Sequence, residues 1–327
     1  MEIISQKKYL FFLIILGFIM IFPKWLIGAF YFELGITSNL VINFIDIQYL
    51  PKILSYSELN FSPTYLEFLE GEGVISFPIL PLLLHAISFK FFGPYALIVL
   101  NFVLKLILFY TIYLFFEKIF KSKINSLIFC VLSFFLFNLF NYLYFKYEFE
   151  FIFELWSIFK NFFGFKVPRP ALSSIFLFIN LYLLLSLKDK IKHDVSYIFL
   201  IYLSLSFAML INTHFYSFVI LFPLTIIIIY VEKRSTLISF FNKNLYKFFL
   251  FFFLLILFSF PFIVQLFFAN QDYSVRIGMI DLDGDKKLIF IKHYINRILD
   301  IKVIFLILIV SITHYFLKKK INNKYNL

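Results

Sequence analysis

Cysteine, glycine and charge are all scarce in this chain. Of its 327 residues, one is Cys and 9 are Gly, and charged residues make up only 15%. The single Cys130 supports no disulfide, and because it lies in an apolar run it says nothing about the cellular compartment. No internal repeat, low-complexity linker or water-soluble domain is recognisable. The first apolar run lacks a small-residue cleavage site, so we expect it to remain as a span.

Apolar residues dominate what is present. Hydrophobic side chains make up 62% of the chain and the mean hydropathy is +0.92. A water-soluble domain of this length has no means of hiding so much apolar surface, so the chain is expected to be a polytopic membrane protein. The net charge of +11 would suggest a nucleic-acid partner in a soluble protein. In a membrane protein, basic loops that orient the chain are the better explanation, so no nucleic acid is predicted.

The apolar runs predict an all-α protein with about eight transmembrane helices in a single integral membrane domain, 1–327. Each run is near the length of about 20 residues that a bilayer core requires. The predicted spans are 9–30, 95–116, 124–145, 170–188, 195–214, 216–231, 247–268 and 302–317. A further run, 74–92, is interrupted by Pro78 and Pro81, and its short uninterrupted part favours an interfacial or re-entrant helix.

The basic residues decide the topology. If 74–92 does not cross the bilayer, every short basic loop falls on one side, which is expected to be the cytoplasm. Both termini then lie in the cytoplasm and the protein is a multi-pass component of the inner (plasma) membrane. Three segments lie outside: 33–94, 146–169 and 269–301. The first holds interfacial helices and six acidic residues, so it is the expected place for any acid chemistry.

Asp46 is the strongest catalytic candidate in the first outer loop. It follows Asn39 and Asn43 at the spacing i, i+4, i+7, which places the three side chains on one face of an amphipathic helix. Asp46 can act as a general base, and the alternative is a solvent-facing polar stripe. Glu33 is the second candidate, with an interfacial acid as the alternative. Further along the loop, Glu70 and Glu72 fit a solvated helix end, with metal or acceptor binding as the alternative.

Two arginines and one histidine are candidates for binding. Arg169 stands between two prolines at the mouth of a span, where its guanidinium suits a lipid phosphate. An interfacial anchor is the alternative. Arg276 is a second phosphate candidate. His214 is expected at the outer tip of a tight hairpin, either facing a substrate chamber or satisfied within the turn.

The first third of the chain carries a resemblance of arrangement. A first span precedes a large outer loop with an early acid in IDIQYLPKI, then the Pro-containing helix FPILPLLLHAISFKFFG, then a span that returns to a basic loop. PRPALSS at 168–174 adds to it. This layout resembles the C-type (GT-C fold) superfamily of integral membrane glycosyltransferases, in a short form with one Asp in place of a paired acidic motif and no C-terminal soluble domain.

The resemblance implies an enzyme that takes a sugar from a polyprenyl-phosphate donor to an envelope glycan or lipid acceptor. The resemblance implies that an outer-loop carboxylate takes part in catalysis, and Asp46 or Glu33 would supply it here. It also implies a substrate chamber, which would include Asn43, Glu70, Glu72 and His214. Membrane lipids and the lipid-linked sugar are the expected partners. No metal site is predicted, although a divalent cation stays open as a cofactor.

Two other functions stay open. One is a transporter or flippase of a lipid-linked envelope intermediate, and the other is a non-catalytic membrane subunit. A transporter is expected to carry charged residues within its spans, and here only Lys105, one turn from Asn101, is such a residue. The absence of a repeat and the scarcity of Gly weigh against the transporter.

The topology is testable with reporter fusions. Fusions at Lys121 and Lys190 should report the cytoplasm, whereas fusions at Asn60 and Asp283 should report the outside, because the basic loops are retained inside. An outside signal at Lys121 would show that 74–92 crosses the membrane.

Overall fold

A computed structural model of the chain describes residues 49–61, 78–133, 171–191, 195–234 and 237–268, together with single positions between 11 and 38. The chain divides into two compact units, Met1–Asn270 and Gln271–Leu327, and all of the described residues lie in the first. Regular secondary structure in this part is entirely helical. The expectation of one domain over 1–327 therefore stays a prediction.

The helices with defined bounds are α1 Leu50–Ser57, α2 Ile79–Phe92, α3 Pro94–Phe120, α4 Lys123–Ser133, α5 Ala171–Lys190, α6 Tyr197–Lys233, α7 Leu237–Lys243 and α8 Leu245–Phe268.

Four helical segments are long and apolar enough to cross a membrane: Pro94–Phe120, Ala171–Lys190, Tyr197–Phe215 and Leu245–Gln265. They match four of the predicted spans to within a few residues, and the α-helical membrane class is confirmed. The predicted spans 9–30, 124–145 and 302–317 lie wholly or partly outside the described residues. The predicted span 216–231 is helical, as the second half of α6, but is not one of the four long apolar segments. The total of eight spans stays a prediction.

Helix α2 is short because of the residues at its two ends. Pro78 precedes its first turn, and Gly93 ends it with φ 66 and ψ −160, a conformation that requires glycine. Its 14 residues extend about 21 Å, less than the roughly 30 Å of a bilayer core. The length agrees with a helix that does not span, although its position relative to the membrane stays a prediction.

Helix α6 reverses direction at His214. Its backbone leaves helical geometry there, with φ −157 and ψ 83. The ring centroids of Phe207 and Phe222 are 6.1 Å apart, although 15 residues of straight helix would separate them by about 22 Å. The two arms, Tyr197–Phe215 and 216–233, therefore pack against each other as a hairpin. This confirms the turn expected at His214.

The helix ends that carry most of the basic residues meet at one end of the bundle. The Lys118 ammonium lies 2.8 Å from the Asp189 carboxylate, which pairs the last turns of α3 and α5. Lys247, in the first turn of α8, donates to the carbonyl of Val195 just before α6. Because α6 is a hairpin, Lys233 at its far end returns there as well. We call this the basic end, formed by Lys118, Lys188, Lys190, Lys233, Arg234 and Lys247.

A polar clamp joins α5 to the first arm of α6. The Asn180 amide nitrogen donates to the Ser206 carbonyl at 3.0 Å, and the Ser206 hydroxyl donates to the Asn180 side-chain oxygen at 3.0 Å. Both side chains are buried. A reciprocal pair of this kind fixes the register of two apolar helices, because sliding one helix would leave polar atoms unsatisfied in an apolar layer.

Aromatic rings fill the space between the arms of α6 and α8. Phe207 is fully buried, and its ring meets those of Phe218, Phe222 and Phe251 edge-on at centroid distances of 5.7, 6.1 and 6.4 Å. Edge-to-face pairs at such distances are favourable. The contact between these helices is therefore made by large rings.

The polar clamp can be tested with two matched serines of α6. Ser206→Ala should lower the free energy of unfolding by about 1 kcal/mol, because it removes a bond between helices. Ser204→Ala is the control, since the buried Ser204 hydroxyl bonds only locally, to the carbonyl of Ile201. Unfolding in detergent micelles measures both. Equal losses in the two variants would show that the clamp contributes nothing of its own.

Candidate functional site

Most of the predicted site lies outside the described residues. This applies to Asp46, Asn43, Glu70, Glu72, Arg169 and Arg276. The chamber that would bring them together, and the lipid-phosphate role of the two arginines, stay predictions. The structure describes two of the predicted site residues, Glu33 and His214.

Glu33 is solvent-exposed, and its backbone is in the left-handed region with φ 50. This conformation is uncommon for a residue other than glycine and is typical of a turn. An exposed position fits an interfacial acid, which was the alternative to catalysis for this residue. Its catalytic role stays a prediction.

His214 occupies the reversal between the two arms of α6. Its Nδ1 lies 2.7 Å from the Ser217 hydroxyl, and the side chain is half-buried. Just before it, the buried Asn212 donates to the Phe258 carbonyl of α8 at 2.9 Å. The bond to Ser217 ties the imidazole to the first turn of the second arm. This contact explains the residue as a structural part of the turn, and a role in a chamber stays a prediction.

Three polar side chains are buried where α2 and α3 pack together. His85 and Asn101 are 0% exposed and Lys105 is 3% exposed. His85 Nδ1 lies 2.8 Å from the Pro81 carbonyl, which can only accept, so Nδ1 is the donor. Within the described part of the chain, His85 Nε2 and both polar atoms of Asn101 have no hydrogen-bond partner. We call these residues the polar trio.

The helix faces that carry the trio meet across the turn at Gly93. Leu97 and Leu104, one turn on either side of Asn101, share a hydrophobic cluster with Leu82 and Ala86, which flank His85 on α2. His85 and Asn101 each stand eight residues from Gly93. His85 therefore lies among residues of α2, and Asn101 among residues of α3, that contribute to one cluster, and Asn101 and Lys105 lie in the half of α3 that is farther from the basic end.

Helix α1 packs on the same cluster. Ile53 and Tyr56, its two buried residues, belong to it together with Ala171 and Leu172 at the start of α5. The described end of PRPALSS, Ala171 to Ser174, is buried. Helices α1 and α2 and the start of α5 thus pack on one cluster with α3.

His85 and Asn101 together contribute three of the buried polar atoms that lack a partner in the described ranges, which makes this region a site candidate. Such groups cost free energy unless a partner is supplied, and in native proteins they mark ligand, water or proton sites. The sequence indicated a functional role for Lys105 and its neighbour Asn101, because a charge inside a span requires a partner or a water-filled cavity. His85 was assigned no role, although its spacing from Leu82 and Ala86 already placed it on the apolar face of α2.

The described residues offer little for a metal ion. In that part of the chain no three His, Cys, Asp or Glu side chains come together. The acidic run DLDGDKK, 281–287, lies outside the described residues, as do most acids of the first outer loop. The question of a divalent cation stays open.

The chain was compared with protein-family models, with curated proteins and with solved structures. None of the three comparisons gives a match.

Proposed function

We propose that the protein is an integral membrane glycosyltransferase, which moves a sugar from a polyprenyl-phosphate donor to an envelope glycan or lipid acceptor. The reaction takes place at the end of the bundle opposite the basic end. The observation that supports this most is the buried polar trio of α2 and α3, in which Asn101 and His85 offer polar atoms that lack partners among the described residues.

The place of the trio fits the proposed reaction. A hydroxyl-rich sugar needs donors and acceptors in a site shielded from water, and Asn101 offers both kinds of group. The short helices α1 and α2 belong to the first outer loop, which also carries Asp46. Lys105 adds a cation in the same layer, where the donor's phosphate carries negative charge.

The chemistry needs a base for the acceptor and positive charge for the leaving group. The acceptor oxygen attacks the anomeric carbon and its proton passes to the Asp46 carboxylate. The bond between the anomeric carbon and the phosphate oxygen breaks, and polyprenyl phosphate leaves with the electron pair. Arg169 binds that phosphate as its charge increases. Phosphate is a good leaving group, so no general acid is required.

The enzyme hypothesis is tested by Asp46→Asn. Loss of the base should lower the rate by about 10²- to 10⁴-fold and leave thermal stability unchanged, because the substitution is nearly isosteric. The readout is release of polyprenyl phosphate from polyprenyl-phosphate-linked hexoses and pentoses, in membranes that contain the expressed protein. This product is the same for every acceptor.

The control is Glu58→Gln, which neutralises an exposed carboxylate in the same loop, just after α1. It should keep the wild-type rate. Equal rates for Asp46→Asn and wild type would remove Asp46 from the mechanism. If no donor of either sugar class releases polyprenyl phosphate, the transferase proposal fails.

A transporter or flippase of a lipid-linked sugar is the second candidate, and the burial of Lys105 within α3 favours it. Ionisable groups inside spans mark pathways in transporters. Under the leading proposal, vesicles containing the protein should translocate a fluorescent polyprenyl-phosphate sugar no faster than protein-free vesicles. A membrane-impermeant reductant, which quenches label in the outer leaflet, measures this rate.

Two lysines provide the matched comparison for transport. Lys105→Met removes a buried charge, whereas Lys90→Met removes an exposed one near the end of α2. If Lys105→Met abolishes translocation and Lys90→Met retains it, the protein is a transporter and the enzyme proposal is wrong.

A further inference from the structure

An apolar groove lies at the basic end, on the opposite side of the bundle from the proposed reaction. It encloses about 250 Å³ between the end of α5, both arms of α6, and helices α7 and α8. Its wall includes Leu203, Phe222, Ile229, Phe240 and Phe248. The wall is almost entirely hydrocarbon, so water has few partners in it.

The groove opens sideways, toward the lipid-facing surface. Ile226 and Tyr230 line it from the second arm of α6 and are each about half exposed, as is Phe252 from α8. In a membrane-spanning bundle such a face meets acyl chains. A chain that enters the groove would cover apolar wall without any rearrangement of the helices.

Cationic side chains surround the groove where it reaches the basic end. The Lys233 ammonium lies 5.6 Å from the ring centre of Phe240, a wall residue, and Lys247 donates to the carbonyl of Val195, another wall residue. Lys190 lies 4.4 Å from the ring centre of Phe199, beside the wall residue Leu200. Three acids, Glu117, Asp189 and Glu232, are also present at this end. Asp189 pairs with Lys118, and the basic side chains outnumber the acids.

One polar atom in the wall needs a donor. Asn244 lines the groove and is 4% exposed; its amide nitrogen donates to the Phe240 carbonyl at 2.9 Å. Its side-chain oxygen is buried and has no hydrogen-bond partner among the described residues. A ligand that occupies the groove and carries a hydroxyl near its charged end would satisfy this acceptor.

We propose that this groove binds one molecule of an anionic glycerophospholipid whose head group carries a hydroxyl. An acyl chain lies against Leu203, Phe222 and Ile229, the phosphate lies near Lys233 and Lys247, and the head-group hydroxyl donates to the Asn244 oxygen. Three features of the groove match three parts of that molecule: the apolar wall, the cationic rim and the buried acceptor. The proposal does not depend on the transferase function.

The test uses a phosphatidylglycerol with a photoreactive group in its acyl chain, in vesicles of phosphatidylcholine that contain the full-length protein. Peptide mapping should place the label on the second arm of α6 and on α7 or α8. Unlabelled phosphatidylglycerol should compete with the label, and extra phosphatidylcholine should not. Labelling spread evenly over the exposed faces of α3 and α8 would overturn the proposal.

The cationic rim is tested by Lys233→Gln with Lys247→Gln. Loss of two cations near the phosphate should weaken competition by phosphatidylglycerol roughly fivefold per lysine. Lys121→Gln is the control, because Lys121 is exposed at the end of α3 and does not line the groove. If Lys121→Gln weakens the competition as much as the other two substitutions, the lipid is attracted by the basic surface in general. That result would overturn the proposed binding site.

The acceptor is tested by comparing two lipids of the same charge, phosphatidylglycerol and phosphatidylethanol, which lacks a head-group hydroxyl. The wild type should prefer phosphatidylglycerol, and Asn244→Leu should remove that preference. Equal competition by the two lipids in the wild type would overturn the role of Asn244. If Asn244→Leu fails to fold, the wild-type comparison alone decides.

Discussion

The backbone of α6 leaves helical geometry at a single residue, His214, and the chain turns back there. This reversal places the second arm against the first, brings Lys233 to the end where α6 began, and sets Phe218 and Phe222 around Phe207. The bond from His214 to Ser217 and the bond from Asn212 to α8 lie at that turn. The groove, the basic end and the packing of α8 all depend on it.

The polar clamp and the polar trio differ in how far their hydrogen bonds are satisfied. Asn180 and Ser206 bond to each other and to backbone carbonyls, so they hold two helices in one register. The amide of Asn101 has no partner in the described part of the chain, although it is equally buried. A polar group that neither joins helices nor reaches water is expensive in an apolar layer. The clamp therefore contributes to stability, whereas the Asn101 amide contributes no bond between the described helices.

The sequence predicted what depends on local composition. Lengths of apolar runs predicted four spans to within a few residues, and Pro78 and Gly93 mark the two ends of the short helix. Pro81, which was expected to interrupt the run, lies in the first turn of that helix. Hydropathy placed a turn at His214 because the apolar run there was too long for one span. Pairings between distant residues were not predictable, since the register of Asn180 with Ser206 and the groove wall arise from three-dimensional packing. The fit of Asp46 and Arg169 into one chamber remains a prediction for the same reason.

The ring contacts around Phe207 also bear on how the bundle responds to pressure. Small residues let membrane helices approach closely, with little side chain between their backbones. Here a fully buried ring meets three others edge-on, so large side chains set the distance between the arms of α6 and α8. A close-packed interior has low compressibility. The spacing of these helices should therefore change little under moderate hydrostatic pressure.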